Sequence, residues 1–302
     1  MKCKLKKKFN NWISQSYWYN EVVFKDCRKF WEMNESNLDV INLGSSSGVY
    51  DFDYTGLSVK GMNWAIAPQT IYGDFAILKQ FASMLRNGAT IIYPLCPFTS
   101  ISGAVKYVED RCYSFLDLDN VPGGHYLRMV KIKQIQNNPL LFYPFIEFIR
   151  DVKHIFWKKA PKPHILNEPQ MKEDASLTMS SWFDQFHLDD LSAPLVGKYK
   201  YVFDEGVKLF KEITAYCNEH HFRLVVVIPP MYKSLAECFT TTARENLIDS
   251  FVRSGIDSSV LYLNMMDDAN FTNDSSLFRS SYYLNSKGSK KYTSYLLNKI
   301  NI

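Results

Sequence analysis

Phe222-Arg223-Leu224-Val225-Val226-Val227-Ile228-Pro229-Pro230 is the stretch that decides the fold. An unbroken run of Val, Leu and Ile closed by prolines reads as a strand buried on both faces, as in a parallel sheet covered by helices. On its N-terminal side, Val202 to His220 carries Val207, Leu209, Phe210, Ile213 and Tyr216 at helical spacing. On its C-terminal side the pattern predicts a helix from about Ser234 to Ser254, a strand over Ser259-Val260-Leu261-Tyr262-Leu263, and a last helix from Ser286 to Ile300. Further out, Leu38 to Leu43 reads as a first strand ending at Gly44, and Gly61 to Ala67 as a second, closed by Pro68. Ile71 to Leu85 reads as a helix stopped by Asn87-Gly88, and Thr90 to Leu95 as a third strand. Five strands alternating with helices predict an α/β protein: a three-layer α/β/α sandwich around a five-stranded parallel sheet. Between about Ser100 and Lys200 the alternation fails. That segment is expected to be a mostly helical insertion (100–200) after the third strand, inside a single domain of 302 residues.

Composition narrows the function classes. Hydrophobic residues make up 46% and charged residues 22%, so the chain is neither disordered nor fibrous. A net charge of +4 is too weak to argue for nucleic acid as a partner. No apolar run reaches the ~18 residues of a membrane span. The basic start, Met1-Lys2-Cys3-Lys4-Leu5-Lys6-Lys7-Lys8, leads into no apolar signal-peptide segment, so a cytoplasmic location is expected. With Trp12, Ile13, Tyr17 and Trp18 behind it, this start reads either as a peripheral contact with an anionic membrane face or as a solvated tail before a first helix. The six cysteines form no CxxC pair and no zinc-spaced cluster; they read as reduced core thiols, and no cofactor or metal is expected.

In an open parallel sheet, ligands gather at the carboxyl ends of the strands. Three segments fall there. Gly44-Ser45-Ser46-Ser47-Gly48 follows the first strand, where a serine can serve as a nucleophile with its own N–H in an oxyanion hole; an ordinary glycine-serine turn is the alternative. Gln69, after the second strand, is a candidate hydrogen-bond donor to the cleft, or simply a polar residue at a helix start. The loop Leu277 to Gly288 precedes the last helix, and capping alone accounts for Asn285. Elsewhere, Asp267-Asp268 and Asp274 follow the fifth strand and read as a metal site without a third ligand at fixed spacing or as solvated loop carboxylates, and Trp157 to His164 is a basic, aromatic loop suited to an anionic glycan or simply to solvent.

Taken together, these segments resemble the SGNH/GDSL hydrolase superfamily, and within it the branch found in bacterial surface-polysaccharide gene clusters. Gly44 and Ser46 match that family's first block. Asn42-Leu43-Gly44-Ser45-Ser46-Ser47-Gly48-Val49-Tyr50 is similar to the branch's Asn-Leu-Gly-Ser-Ser-His-Gly-x-Tyr, and Phe52-Asp53-Tyr54 and Gly61-Met62-Asn63-Trp64-Ala65 are similar to its next two blocks. The resemblance implies a flavodoxin-like sandwich of SGNH hydrolase type. It implies an O-acyl esterase or acyltransferase acting on an acylated carbohydrate or another small-molecule ester. Ser46 would be the nucleophile, and Gly44, Ser47, Asn63, Gln69 and Asn285 the oxyanion or substrate-binding positions.

The last block departs from the pattern. Where the family carries Asp-x-x-His, this chain has Ser280 and Tyr283. A serine hydroxyl without a nearby base is a weak nucleophile, and a phenol with a pKa of about 10 is a poor proton acceptor at neutral pH. Two functions follow: an esterase or acyltransferase drawing a base from elsewhere, with His187 as one candidate, or a catalytically silent protein that binds a glycan or a partner in the same cleft.

Overall fold

The computed structural model describes residues 2–121, 123–156 and 166–302. In chain order the elements are α1 (Lys2–Ile13), α2 (Arg28–Trp31), β1 (Leu38–Asn42), α3 (Ser46–Asp51), β2 (Gly61–Asn63), α4 (Ile71–Phe81), β3 (Leu85–Pro94) and α5 (Thr99–Ser102). Then come α6 (Tyr126–Asn137), α7 (Phe145–Phe156), α8 (Glu168–Phe186), α9 (Lys198–Glu219) and β4 (Arg223–Ile228). The chain closes with α10 (Lys233–Ala236), α11 (Thr241–Arg244), α12 (Ser250–Gly255), β5 (Leu261–Asn264) and α13 (Ser286–Lys299). They divide into two compact units: residues 1–34 with 107–162, and residues 35–106 with 163–302. Residues 100–200, read as one insertion, are thus shared between the two.

The second unit holds the sheet. All five strands run parallel in the order β2-β1-β3-β4-β5, the flavodoxin-like arrangement of a three-layer α/β/α sandwich. Val40, Ile92, Val225 and Val227 are buried on one face with Phe52, with Tyr292 and Leu296 of α13 and with Ile300 just after it. On the opposite face Tyr93 packs edge-on against Phe210 of α9, and Phe210 against Phe251 of α12, with ring centroids 5.0 and 5.8 Å apart. Apolar residues on both faces explain why the strands read as continuous hydrophobic runs.

Three elements differ from the sequence reading. Asn87-Gly88 does not stop a helix. The helix ends at Phe81, a 3₁₀ turn follows, and both residues lie inside β3 at a bulge where Leu38 pairs with Leu85 but Val40 pairs with Thr90. Gly88 supplies the positive φ (+72°) that this bulge needs. The single helix expected over 234–254 is interrupted once: α10 ends at Ala236, and the Thr240 hydroxyl accepts the Ala243 N–H and starts a second run that continues through α11, a π-helical stretch (Glu245–Asp249) and α12. Finally, β2 pairs over Gly61–Asn63 only.

The first unit is helical. Here the basic start is not a tail: it is α1 itself. Trp12 and Trp18 meet Tyr143 at 5.9 and 5.2 Å between ring centroids. The buried Asp151 carboxylate of α7 accepts the Trp18 N–H at 3.2 Å and the Tyr143 hydroxyl. Among the described residues, no helix is long and apolar enough to cross a membrane. The Trp157 to His164 loop lies outside the described residues.

Candidate functional site

β1 and β3 are the parallel neighbours on either side of the point where strand order in the sheet changes direction. A cleft of about 300 Å³ opens at their carboxyl ends, where such sheets hold ligands. Its floor is Gly44, Ser45, Ser46, Pro68 and Gln69 on one side and Pro94 and Cys96 on the other; Trp182, Gln185 and Phe186 of α8 and Tyr282 and Tyr283 form the walls.

The turn after β1 is shaped by Gly44. Its φ of +104° is open to glycine, and a Cβ there would sit 3.0 Å from the Pro94 carbonyl oxygen. The Gly44 N–H donates to Oδ1 of Asp74, 3.1 Å away, and the Tyr93 hydroxyl donates to Oδ2 at 2.6 Å. Asp74 is a buried acid on the floor of the cleft. Burial pushes its carboxyl up to about 7, against the pull of the two hydrogen bonds. The Ser45 hydroxyl accepts the Gln69 N–H at 3.1 Å, tying the serine turn to the start of α4. Ser46 then opens α3, half-buried, its hydroxyl interacting with Tyr283.

That interaction is the chemical centre of the site. Burial pushes the Tyr283 phenol up to about 12, and its hydrogen bond with Ser46 works only partly against this. Such a phenol keeps its proton at neutral pH and cannot take one from Ser46. Tyr283 is held by Tyr50 and Tyr282, with ring centroids 4.9 and 4.5 Å away, and Arg279 covers the Tyr50 ring at 4.5 Å.

Ser280 does not face the cleft. Its Oγ accepts the N–H of Tyr283 at 3.1 Å and of Tyr282 at 3.4 Å, closing a tight loop bridged by Phe278 and Leu284. Two acids hold this loop: half-buried Asp174 accepts the Ser281 N–H at 2.7 Å and buried Asp51 accepts the Leu284 N–H at 2.9 Å, and burial holds the Asp51 carboxyl well above the ordinary range.

Of the positions singled out in sequence, Gly44, Ser46, Gln69 and Tyr283 meet at the cleft. Ser47 is buried in α3 and does not line it. Asn63 serves the scaffold instead: its Nδ2 donates to the Gly48 carbonyl at 2.8 Å, and its Oδ1 accepts from Asn42 and from the Ala65 N–H. Asn285 caps α13, accepting from Lys287 and Gly288 and donating to the carbonyls of Ser276 and Phe278.

Among the described residues no histidine lines the cleft. His187, next to Phe186, ends α8 in the left-handed conformation. His220 and His221 sit at the end of α9 that leads into the amino end of β4, and His125 belongs to the other unit. His164 lies outside the described residues, as does the His154 side chain. Asp267 pairs with Arg244, and Asp274 caps a 3₁₀ turn. No group of three potential metal ligands occurs among the described residues.

Sequence reasoning missed Asp74 and the α8 wall. Asp74 falls between Ile71 and Leu78 on the apolar stripe of α4, and an acid on such a stripe is a signal. Met171, Ala175, Met179, Trp182 and Phe186 recur every three or four residues, a helical stripe behind the proline-bearing stretch.

Gln69 completes the inventory. Its Oε1 accepts the Thr70 N–H, while its buried Nε2 has no hydrogen-bond partner among the described residues. The fold and site therefore define a flavodoxin-like sandwich with a serine-floored, aromatic-walled cleft at its switch point. No protein-family model matches the chain, and no curated protein matches it.

Proposed function

We propose that this chain is a catalytically silent relative of the SGNH hydrolases that binds an acylated carbohydrate in the cleft without hydrolysing it. The observation that carries the reading is Tyr283 beside Ser46, where a hydrolase needs a base. Losing the base from a serine-histidine pair costs on the order of a million-fold in turnover. Binding loses nothing by the exchange. The half-buried rings of Trp182 and Phe186 line the cleft and give the C–H face of a sugar an apolar wall, and Gln69 Nε2 offers an unused donor to an acyl or hydroxyl oxygen.

The test compares turnover of a chromogenic acetyl ester by the parent and by Ser46→Ala. Equal rates near background, together with calorimetric binding of an O-acetylated sugar weakened by Trp182→Ala, support the reading. Turnover lost in Ser46→Ala overturns it. A second reading, O-acyl esterase or acyltransferase in surface-polysaccharide modification, is favoured by one observation: Ser46 keeps a nucleophile's seat, on the first turn of α3 directly after β1. Ser280→Asp combined with Tyr283→His would supply the missing pair, and esterase activity gained by that variant would show that the rest of the machinery is intact.

A further inference from the structure

The first unit presents a surface that the cleft does not explain. On α1, Leu5, Phe9 and Trp12 recur at i, i+4 and i+7 and share one helix face. Leu5 is 59% exposed and Phe9 49% exposed. They border a shallow apolar groove of about 350 Å³ that Lys8, Trp12 and Phe148 complete. Trp12 meets Phe148 of α7 at 5.8 Å between ring centroids, and Phe148 stacks on Phe145, itself 77% exposed. The Leu140 N–H donates to Asn10 Oδ1, which brings exposed Leu141 beside α1. Large apolar side chains joined in one exposed patch mark an interaction surface.

Charge decides what covers it. Residues 2–20 contain Lys2, Lys4, Lys6, Lys7 and Lys8 and no acid. At about 100° per residue, Lys8 and Lys6 fall on the two borders of the Leu5–Phe9–Trp12 stripe. On α7, Glu147 is paired with Arg150, and Asp151 is buried against Trp18 and Tyr143, so no free acid of that helix faces the patch. A second copy would set five lysines against five. An apolar stripe edged by lysines suits the boundary between acyl chains and anionic headgroups.

We propose that the α1–α7 face docks the protein on an anionic lipid bilayer. Leu5, Phe9 and Phe145 enter the headgroup boundary and the lysines bind the headgroups. The docking is independent of what the cleft holds.

The test is co-sedimentation of the full chain with phosphatidylcholine vesicles with and without phosphatidylglycerol, at low and high salt. Retention is expected on the anionic vesicles only, and reduced by salt. Lys6→Gln and Lys8→Gln together should weaken it about 25-fold, at about fivefold per lysine. Leu5→Gln with Phe145→Gln replaces exposed side chains only. It should leave circular dichroism unchanged and lower retention to that on neutral vesicles. No retention of the parent, or retention indifferent to both variants, overturns the proposal. So does a dimer that Leu5→Gln with Phe145→Gln dissolves while no vesicle is bound, since the patch would then join two copies.

Discussion

Asp74→Asn should remove a pH dependence that the parent carries between about pH 4 and 7. In the folded protein the Asp74 carboxyl titrates near 7, against 3.8 when exposed. Between those values the folded state holds a proton that the unfolded chain has released. Stability then falls as pH rises through this window and levels off above it. A shift of about three units, at about 1.4 kcal/mol each, places on the order of 4 kcal/mol in this one group. About two units of the window lie between pH 5 and 7, so roughly 3 kcal/mol should be lost across that span. Asparagine keeps an oxygen for the Gly44 N–H and offers its amide to the Tyr93 hydroxyl, and it has no proton to lose. Urea unfolding at a series of pH values measures both proteins. The gap between them should open in favour of Asp74→Asn from pH 5 to 7 and stay constant above. Other titrating groups, buried Asp51 included, are common to both and cancel in the difference. Parallel curves would refute the reasoning, because Asp74 would then be ionised throughout.

Gly44→Ala forces a Cβ into the left-handed region against the Pro94 carbonyl and should cost about 1–3 kcal/mol, read as a lower urea midpoint. Asn285→Ala removes the α13 cap and two donors to the Ser276 and Phe278 carbonyls; about 2 kcal/mol and a lower melting temperature are expected. Tyr283→Phe should leave acetyl-ester turnover at the parent's background rate, because the phenol is not a base; a measurable parental rate that this change abolishes would give Tyr283 a catalytic role.

The sheet was legible because burial on both faces writes itself as runs such as Leu224 to Ile228. What escaped depends on single backbone angles or single hydrogen bonds. Gly88 reads equally well as a helix stop and as a bulge, and only pairing with β1 decides. The break near Thr240 needs one hydroxyl to reach one N–H, a competition that the apolar periodicity of 234–254 does not record. In the site, Gly44 to Gly48 is legible three ways: it follows a strand where parallel sheets hold ligands, it carries a serine beside glycines, and it resembles a hydrolase block. Asn63 was misleading because an asparagine beside a cleft and an asparagine that ties two strand ends look alike in sequence. The stripe from Met171 to Phe186 marks a buried helix face, but periodicity does not say which strand ends that face covers, so the α8 wall is not legible from it.

The cleft is built from two kinds of material. Gly44 of the first turn and Tyr93 of β3 are both hydrogen-bonded to Asp74 of α4, so a change in any one of them disturbs the other two. Gln185 stands exposed in the last turn of α8, while its neighbour Phe186 is stacked on buried Phe98 at 4.8 Å between ring centroids. What the cleft admits can therefore drift through substitutions at that helix end while the strands stay as they are. Two chains with this sheet and this serine turn need not share a ligand, and their preference would be read from the last turn of α8 rather than from the turn that carries Ser46.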